Sequence, residues 1–433
     1  MASRPLAVPA LIRSSSNAPK IVWFGIRPKW PGQGKNLDQQ GPLSSGFFVV
    51  PIMKFILLSI ISIILASGAF AVESDKGSDK GSLDVRAVSA ILGDMDTGVI
   101  MFEKDADKTV PPASLTKIMT LYIIFDALSR GDLNFEQKLP VSEKAWRTAG
   151  SKTFVRVGDQ IKVDDLVRGI AVQSGNDACI VVAEHLAGSE AGFAELMNTK
   201  AKELEMSNSH FVNPTGLPDP QHYTSARDLF KLASAIMNRF PEYGHFVKEK
   251  QYTFSGIQQY NRNRLLWRDP SITGLKTGHT RDAGYCLVAT NEKDGQRLSA
   301  VIMGSSGSKI REEDALRLLR YGNRMYETVR IYEPGTVIRK LRLWKGAEDF
   351  VDATVDKPVV VTVSRKDRSG LEVGMVYEEP MFGPLEKGQK IGAVIVKNKG
   401  QELLNRPVVA AKEIPSGGII GNLLDSLRLS FGW

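Results

Sequence analysis

Cysteine and histidine are both scarce in this sequence. Only Cys179 and Cys286 occur in 433 residues, which excludes a disulfide-built scaffold and the clustered thiolates of a metal site. One bridge between them is conceivable, and two buried free thiols fit the sequence at least as well. The five histidines (185, 210, 222, 245 and 279) form no HxH or HExxH pair, so no metal is expected. Also missing is an apolar run of the ~20 residues that a membrane-spanning helix needs. The net charge of +8 is not massed in any tract. That argues against a nucleic-acid partner and for a cationic protein beside an anionic membrane or wall.

What remains is globular material, 42% hydrophobic and 24% charged, in a length that suggests two domains plus extras. From Met53 the chain reads MKFILLSIISIILASGAFA: a lysine, a short apolar run, then small residues ending in Ala69-Phe70-Ala71. This is the layout of a secretory signal over 53–71, cleaved after Ala71. Residues 1–52, rich in Pro, Gly and Ser and without helical or strand periodicity, are expected to be a disordered, non-native extension, with Met53 the true start. The charged Gly/Ser stretch over 72–84 is expected to be a linker.

Order is expected from Val85. Strands over 87–92 and 98–102 flank a turn at Asp94-Met95-Asp96-Thr97-Gly98. After Pro111-Pro112 a helix is expected over 114–128, with Arg130 and Gly131 suiting its end. Helical patterns follow over 163–172, 177–186, 190–204 and 225–238, then strands over 272–277, 285–290 and 298–303, and a helix over 311–329. Strands flanking a helical block point to a multi-domain α/β protein whose first domain, 85–332, holds an antiparallel sheet and a helical subdomain. Past Glu333-Pro334-Gly335 the strands are short and rich in Val and Ile, so 333–412 is expected to be a small all-β, sandwich-like domain. The tail, 413–433, reads as an amphipathic helix with Ile420, Leu423, Leu424, Leu427 and Phe431 on one face and Asn422, Asp425 and Arg428 on the other. Such a face packs either on the β domain or into a membrane interface, and the terminal position, Phe431 and Trp433 favour the membrane.

The stretch PPASLTKIMT carries the chemistry. On a helix Ser114 and Lys117 share a face, so the amine reaches the hydroxyl. A serine needs a base to act as a nucleophile, and a lysine serves if burial lowers its pKa. The apolar Ile118, Met119 and Leu121 would supply that burial, and an unpaired N–H in the first turn would hold an oxyanion. A lone S-x-x-K proves little: Ser306-Gly307-Ser308-Lys309 matches it too, and Ser15-Ser16-Asn17 matches S-x-N. Ser114 alone reads equally as a helix cap, as do Ser174 and Asn176. Yet S-x-x-K, then Ser174-Gly175-Asn176, then Lys276-Thr277-Gly278 occur in that order, each at the end of an expected element. Together they are the signature of penicillin-recognising serine acyltransferases.

With DMDTG, VQSGNDAC, TSARDL, YNRNRLLW and GLKTGHT around these motifs, the sequence from Val85 onward resembles the exported low-molecular-mass penicillin-binding proteins, the serine D-Ala-D-Ala carboxypeptidases. The resemblance implies a penicillin-binding/β-lactamase-like catalytic domain that takes the last D-alanine from peptidoglycan pentapeptide stems and is acylated by β-lactams. It implies Ser114 as nucleophile, Lys117 as proton acceptor, Ser174 as proton relay and Asn176 as an orienting group for the substrate peptide. Lys276, Thr277 and Gly278 would meet the terminal carboxylate region, with charge added by Arg262 and Arg311. The backbone N–H groups of Ser114 and His279 would form the oxyanion hole, while the His279 ring only packs or hydrogen-bonds. The implied location is periplasmic, at the inner-membrane surface through the tail helix. A β-lactamase would need a further base to hydrolyse the penicilloyl ester, and no equivalent can be assigned. Transpeptidase or endopeptidase action shares the acylation step. A wall-binding protein with a decayed site is disfavoured by the intact motifs.

Overall fold

The structure, a computed structural model, describes residues 20–24 and 83–431. The expected signal segment, most of the expected linker and Trp433 lie outside the described residues.

The first domain is built on a five-stranded antiparallel sheet in the order Ile100–Lys104, Ser89–Asp94, Gln296–Ser305, Gly284–Lys293, Ile272–Thr280. Both of its faces are covered, which is why its strands read as unbroken apolar runs. Side chains alternate across a strand: Val301 and Met303 enter one core with Ile118 and Leu121, while Ala300 and Ile302 enter another with Leu316 and Leu319. The second core lies under the helix Ser308–Met325. The first is filled by the helical block of Lys117–Arg130, Asn176–Ala187, Glu190–Glu203 and Ala226–Arg239. Within it, Lys117–Arg130 is buried on nearly every side from Lys117 to Ala127, so any polar group it carries is desolvated. It ends at Arg130, two residues past the expected end, and Gly131 closes it as expected. Cys179 and Cys286 are both buried and free.

Two departures from expectation concern the β domain. The helix expected to reach residue 329 stops at Met325, and Tyr326–Tyr332 pairs antiparallel with Val359–Ser364. Its aromatic and β-branched residues (Tyr326, Thr328, Val329, Ile331 and Tyr332) favour a strand once an apolar partner strand is at hand. The chain therefore enters the β domain before Glu333. In the supposedly unstructured N-terminal extension, Lys20–Phe24 forms a strand on the edge of the seven-stranded sheet, paired antiparallel with Leu371–Tyr377. An unpaired edge accepts such a β-forming segment readily.

Polar bonds join the β domain to the first domain. Asp96 receives Arg297 at 2.7 Å and Arg330 at 2.6 Å, and the Thr97 and Thr362 hydroxyls meet at 2.6 Å. The chain closes with the helix Gly418–Phe431. Its buried residue is Asp425, whose carboxylate accepts the Lys345 N–H at 2.6 Å. Ile419, Ile420, Leu423, Leu424, Leu427 and Phe431 are all exposed, from 49% to 89%. Among the described residues no helix is long and apolar enough to cross a membrane.

Candidate active site

Ser114 does not cap a helix. It sits inside a short 3-10 turn, Ala113–Thr116, that precedes the α-helix starting at Lys117. Ala113 has φ of 48°, a left-handed conformation that costs a non-glycine residue energy and turns the next residue outward. Ala113 and Leu115 are buried and anchor the turn, leaving Ser114 partly exposed between them.

Lys117 Nζ lies 3.1 Å from Ser114 Oγ, 2.7 Å from Asn176 Oδ1 and 2.5 Å from the Thr215 carbonyl. A neutral amine has two hydrogens, and the two carbonyl oxygens take both. Its lone pair is then left for the Ser114 hydroxyl, which becomes the donor. Burial lowers the Lys117 pKa to about 8, and the Arg262 charge pushes the same way. At pH 7 roughly a tenth of the amine is then neutral, far more than for an ordinary lysine.

The second motif is delivered by a π-helical turn, Gly169–Gln173, after the α-helix Val163–Arg168, where an unbroken helix was expected. Single π turns recur at functional sites because they re-aim one residue. Here Ser174 follows with φ of 66°, and its Oγ accepts Lys276 Nζ at 2.9 Å. Lys276 also donates to the Thr277 carbonyl at 3.1 Å, and burial holds its pKa well below the usual lysine range. Asn176 is held from both sides, its oxygen on Lys117 and its nitrogen on the Ala149 carbonyl at 2.6 Å.

The third motif lies on Ile272–Thr280, the edge strand of the sheet, whose open side runs past the serine turn. A Cβ on Gly278 would stand 3.1 Å from the Pro112 carbonyl and 3.2 Å from the Leu115 nitrogen, so glycine permits this approach. Arg311 donates to the Gly278 and Cys286 carbonyls, each at 3.3 Å, which braces the strand beside His279. The His279 ring is exposed and stacks on Tyr285 with centroids 4.1 Å apart. Arg262 is set outward by buried Asn261 and Asn263, and its Nε donates to the Gln173 carbonyl at 3.0 Å.

Ser114, Ser174, Arg262, Thr277, Gly278, His279 and Arg311 line one cleft of about 860 Å³. Lys117 and Lys276 lie beneath it, bonded to the two serines. All the residues singled out in the sequence thus converge, whereas Ser306 of the decoy motif is an exposed bend before a helix. Several contributors escaped sequence reading. Thr215 acts through its carbonyl, in a turn flagged in the sequence by Asn213-Pro214 and Gly216. Phe154, with φ of 73°, and Tyr260 form part of the cleft wall. Asp177 accepts the N–H groups of Thr153 at 2.8 Å and Phe154 at 2.9 Å, holding that wall in place.

Known proteins resemble this chain in sequence and in structure. The family described as D-alanyl-D-alanine carboxypeptidase matches residues 75–307, and that described as penicillin-binding protein 5, C-terminal domain, matches residues 326–416. The D-alanyl-D-alanine carboxypeptidase DacC of Escherichia coli (strain K12) is 36% identical over 376 residues, covering 85% of this chain and 93% of its own. Penicillin binding protein 5 from Haemophilus influenzae has a similar structure, with a TM-score of 0.70 at 33% identity over 77% of this chain and 98% of its own. Penicillin-binding protein D2 from Listeria monocytogenes, in its ampicillin-bound form, matches at 29% identity with a TM-score of 0.51 over 55% of this chain and 98% of its own. The serine turn, the buried lysine beneath it and the edge strand beside it are thus set in a chain that belongs to the D-alanyl-D-alanine carboxypeptidase family.

Proposed function

We propose that this chain is a serine D-Ala-D-Ala carboxypeptidase that removes the last D-alanine from peptidoglycan pentapeptide stems and is acylated by β-lactams at the same residue. The observation that carries the proposal is the setting of Lys117 Nζ, buried, with two carbonyl acceptors and the Ser114 hydroxyl at 3.1 Å. Ser114 passes its proton to Lys117 as Oγ bonds to the carbonyl carbon of the penultimate D-Ala. The N–H groups of Ser114 and His279 hold the oxyanion. When the C–N bond breaks, the departing amine takes a proton relayed through Ser174, whose Oγ is held by Lys276. Water then cleaves the ester and frees the serine. Thr277, Arg262 and Arg311 meet the substrate carboxylate, for which charge-assisted bonds are strong. Asn176 serves by fixing Lys117. Incubation with purified pentapeptide muropeptides and mass analysis of the products tests the reading. Loss of one alanine supports it, and cleavage of crosslinked dimers would move the assignment to endopeptidase.

The tail supports attachment to a membrane surface from the periplasmic side. Its polar Asp425 faces the protein and its apolar residues face outward, the reverse of a helix packed into its own domain. Deletion of 416–433 is expected to move the mature protein from membrane to soluble fractions with peptide hydrolysis retained. Fractionation and the peptide assay check this, and a truncated protein that stayed on the membrane would overturn it.

A further inference from the structure

Beneath the serine turn lies a histidine to which the proposed chemistry assigns nothing. His222 is 3% exposed, and its ring meets Phe211 edge-on with centroids 5.7 Å apart. It borders a separate hollow with Val110, Pro111 and Asp219, not the cleft that holds Ser114. Its hydrogen bonds run in one direction. The Val212 N–H donates to Nδ1 at 3.3 Å, so Nδ1 is bare and the ring proton sits on Nε2. Nε2–H therefore donates to Thr116 Oγ1 at 2.8 Å. That leaves the Thr116 hydroxyl proton for the Ala113 carbonyl, also at 2.8 Å. Burial lowers the His222 pKa to about 4, opposed by Asp219 and assisted by His210 and Lys117, so the ring is neutral over the working range.

The end of this chain of bonds gives it meaning. The Ala113 carbonyl and the Ser114 N–H belong to one rigid peptide plane and point in opposite directions. Fixing the carbonyl fixes the N–H that holds the oxyanion. The plane is held in a costly conformation, with Ala113 at φ of 48°, and such a conformation persists only where its surroundings impose it. The surroundings are close. A Cβ on Gly216 would lie 1.8 Å from the Ala113 carbonyl oxygen and 2.8 Å from Thr116 Oγ1. The loop around Gly216 is the one whose Thr215 carbonyl accepts Lys117.

We infer that His222 is a positioning residue for acylation: acting through the Thr116 hydroxyl, it locks the peptide plane that presents the Ser114 N–H to the oxyanion. The inference rests on Ser114 being the nucleophile, as proposed above.

Stopped-flow acylation by a fluorescent penicillin, with the unfolding midpoint measured alongside, tests it. Removing an oxyanion donor outright costs about 10²–10³-fold, so letting one wander is expected to cost roughly 10–100-fold. His222→Leu and Thr116→Val should slow the acylation step by that factor, leave the initial binding constant near the wild-type value, and show no further loss when combined. His222→Gln, which keeps an N–H donor near the Nε2 position, and Thr116→Ser, which keeps the hydroxyl, should recover most of the rate. The inference is overturned if Thr116→Val acylates at the wild-type rate, or if Thr116→Ser is as slow as Thr116→Val. It is equally overturned if the rate losses merely follow a fall in the unfolding midpoint. Should His222→Leu fail to fold, the Thr116 pair decides. A wild-type protein that takes no penicillin would instead strike at the proposed function.

Discussion

Ser114→Ala yields a folded protein that takes no covalent penicillin and hydrolyses the terminal alanine of a pentapeptide about 10⁶-fold more slowly than the wild type, the scale seen when a serine nucleophile is lost. Folding is expected to survive because the Ser114 hydroxyl is only partly buried and is bonded to Lys117, which keeps its two carbonyl partners. Gel fluorescence after labelling and mass analysis of the peptide products measure both effects. A labelled Ser114→Ala protein would overturn the assignment of the nucleophile. The exposed Ser306 of the second S-x-x-K would then have to be tested next.

Lys117→Met lowers the acylation rate by about 10²–10⁴-fold, the usual contribution of a general base, and removes the acid limb of the wild-type pH profile. The sign follows from the charge. With a folded pKa of about 8, Lys117 is protonated and inactive as a base below that pH, so the wild-type rate climbs as pH rises toward 8 and then levels. Stability moves with pH in the same direction. The unfolded chain binds more protons than the folded one between pH 8 and the ordinary lysine range, so stability rises across that window, and Lys117 costs on the order of 3 kcal/mol below it. The Met variant relieves that cost but leaves the Asn176 and Thr215 oxygens without their donor, at about 1–3 kcal/mol each. Its unfolding midpoint is thus expected to stay near that of the wild type at pH 7, and to lose its rise above pH 8. A Met variant that kept the wild-type rate and limb would remove Lys117 as the base.

The site was legible where chemistry demands a particular side chain. A nucleophilic hydroxyl, a lysine base and a carboxylate-binding strand end leave little choice of residue, and three short motifs in order marked them. The supporting groups were not legible, because they act through the backbone. The carbonyls of Thr215, Ala149 and Gln173 hold Lys117, Asn176 and Arg262, and any residue carries a carbonyl. The central strands were read well because both faces of the sheet are buried and the Asp294-Gly295 turn is distinctive. Shorter strands escaped. The hairpin of Gln251–Phe254 and Ile257–Tyr260 buries only Tyr252, Phe254 and Gln259, too little for a period to stand out. Residues 326–329 suit the end of the expected helix as well as a strand, since their apolar spacing fits either element until a partner strand is known.

The attachment of the tail through Asp425 bears on how tightly it would hold a bilayer. Many surface-binding helices are unfolded in solution, and ordering them consumes part of the energy gained on insertion. Here the Lys345 N–H fixes the helix to the β domain beforehand, so on the membrane reading the ordering entropy is lost during folding rather than on docking. The tail would meet the lipid already helical, and the transfer of Ile420, Leu424 and Phe431 out of water would appear almost entirely as affinity.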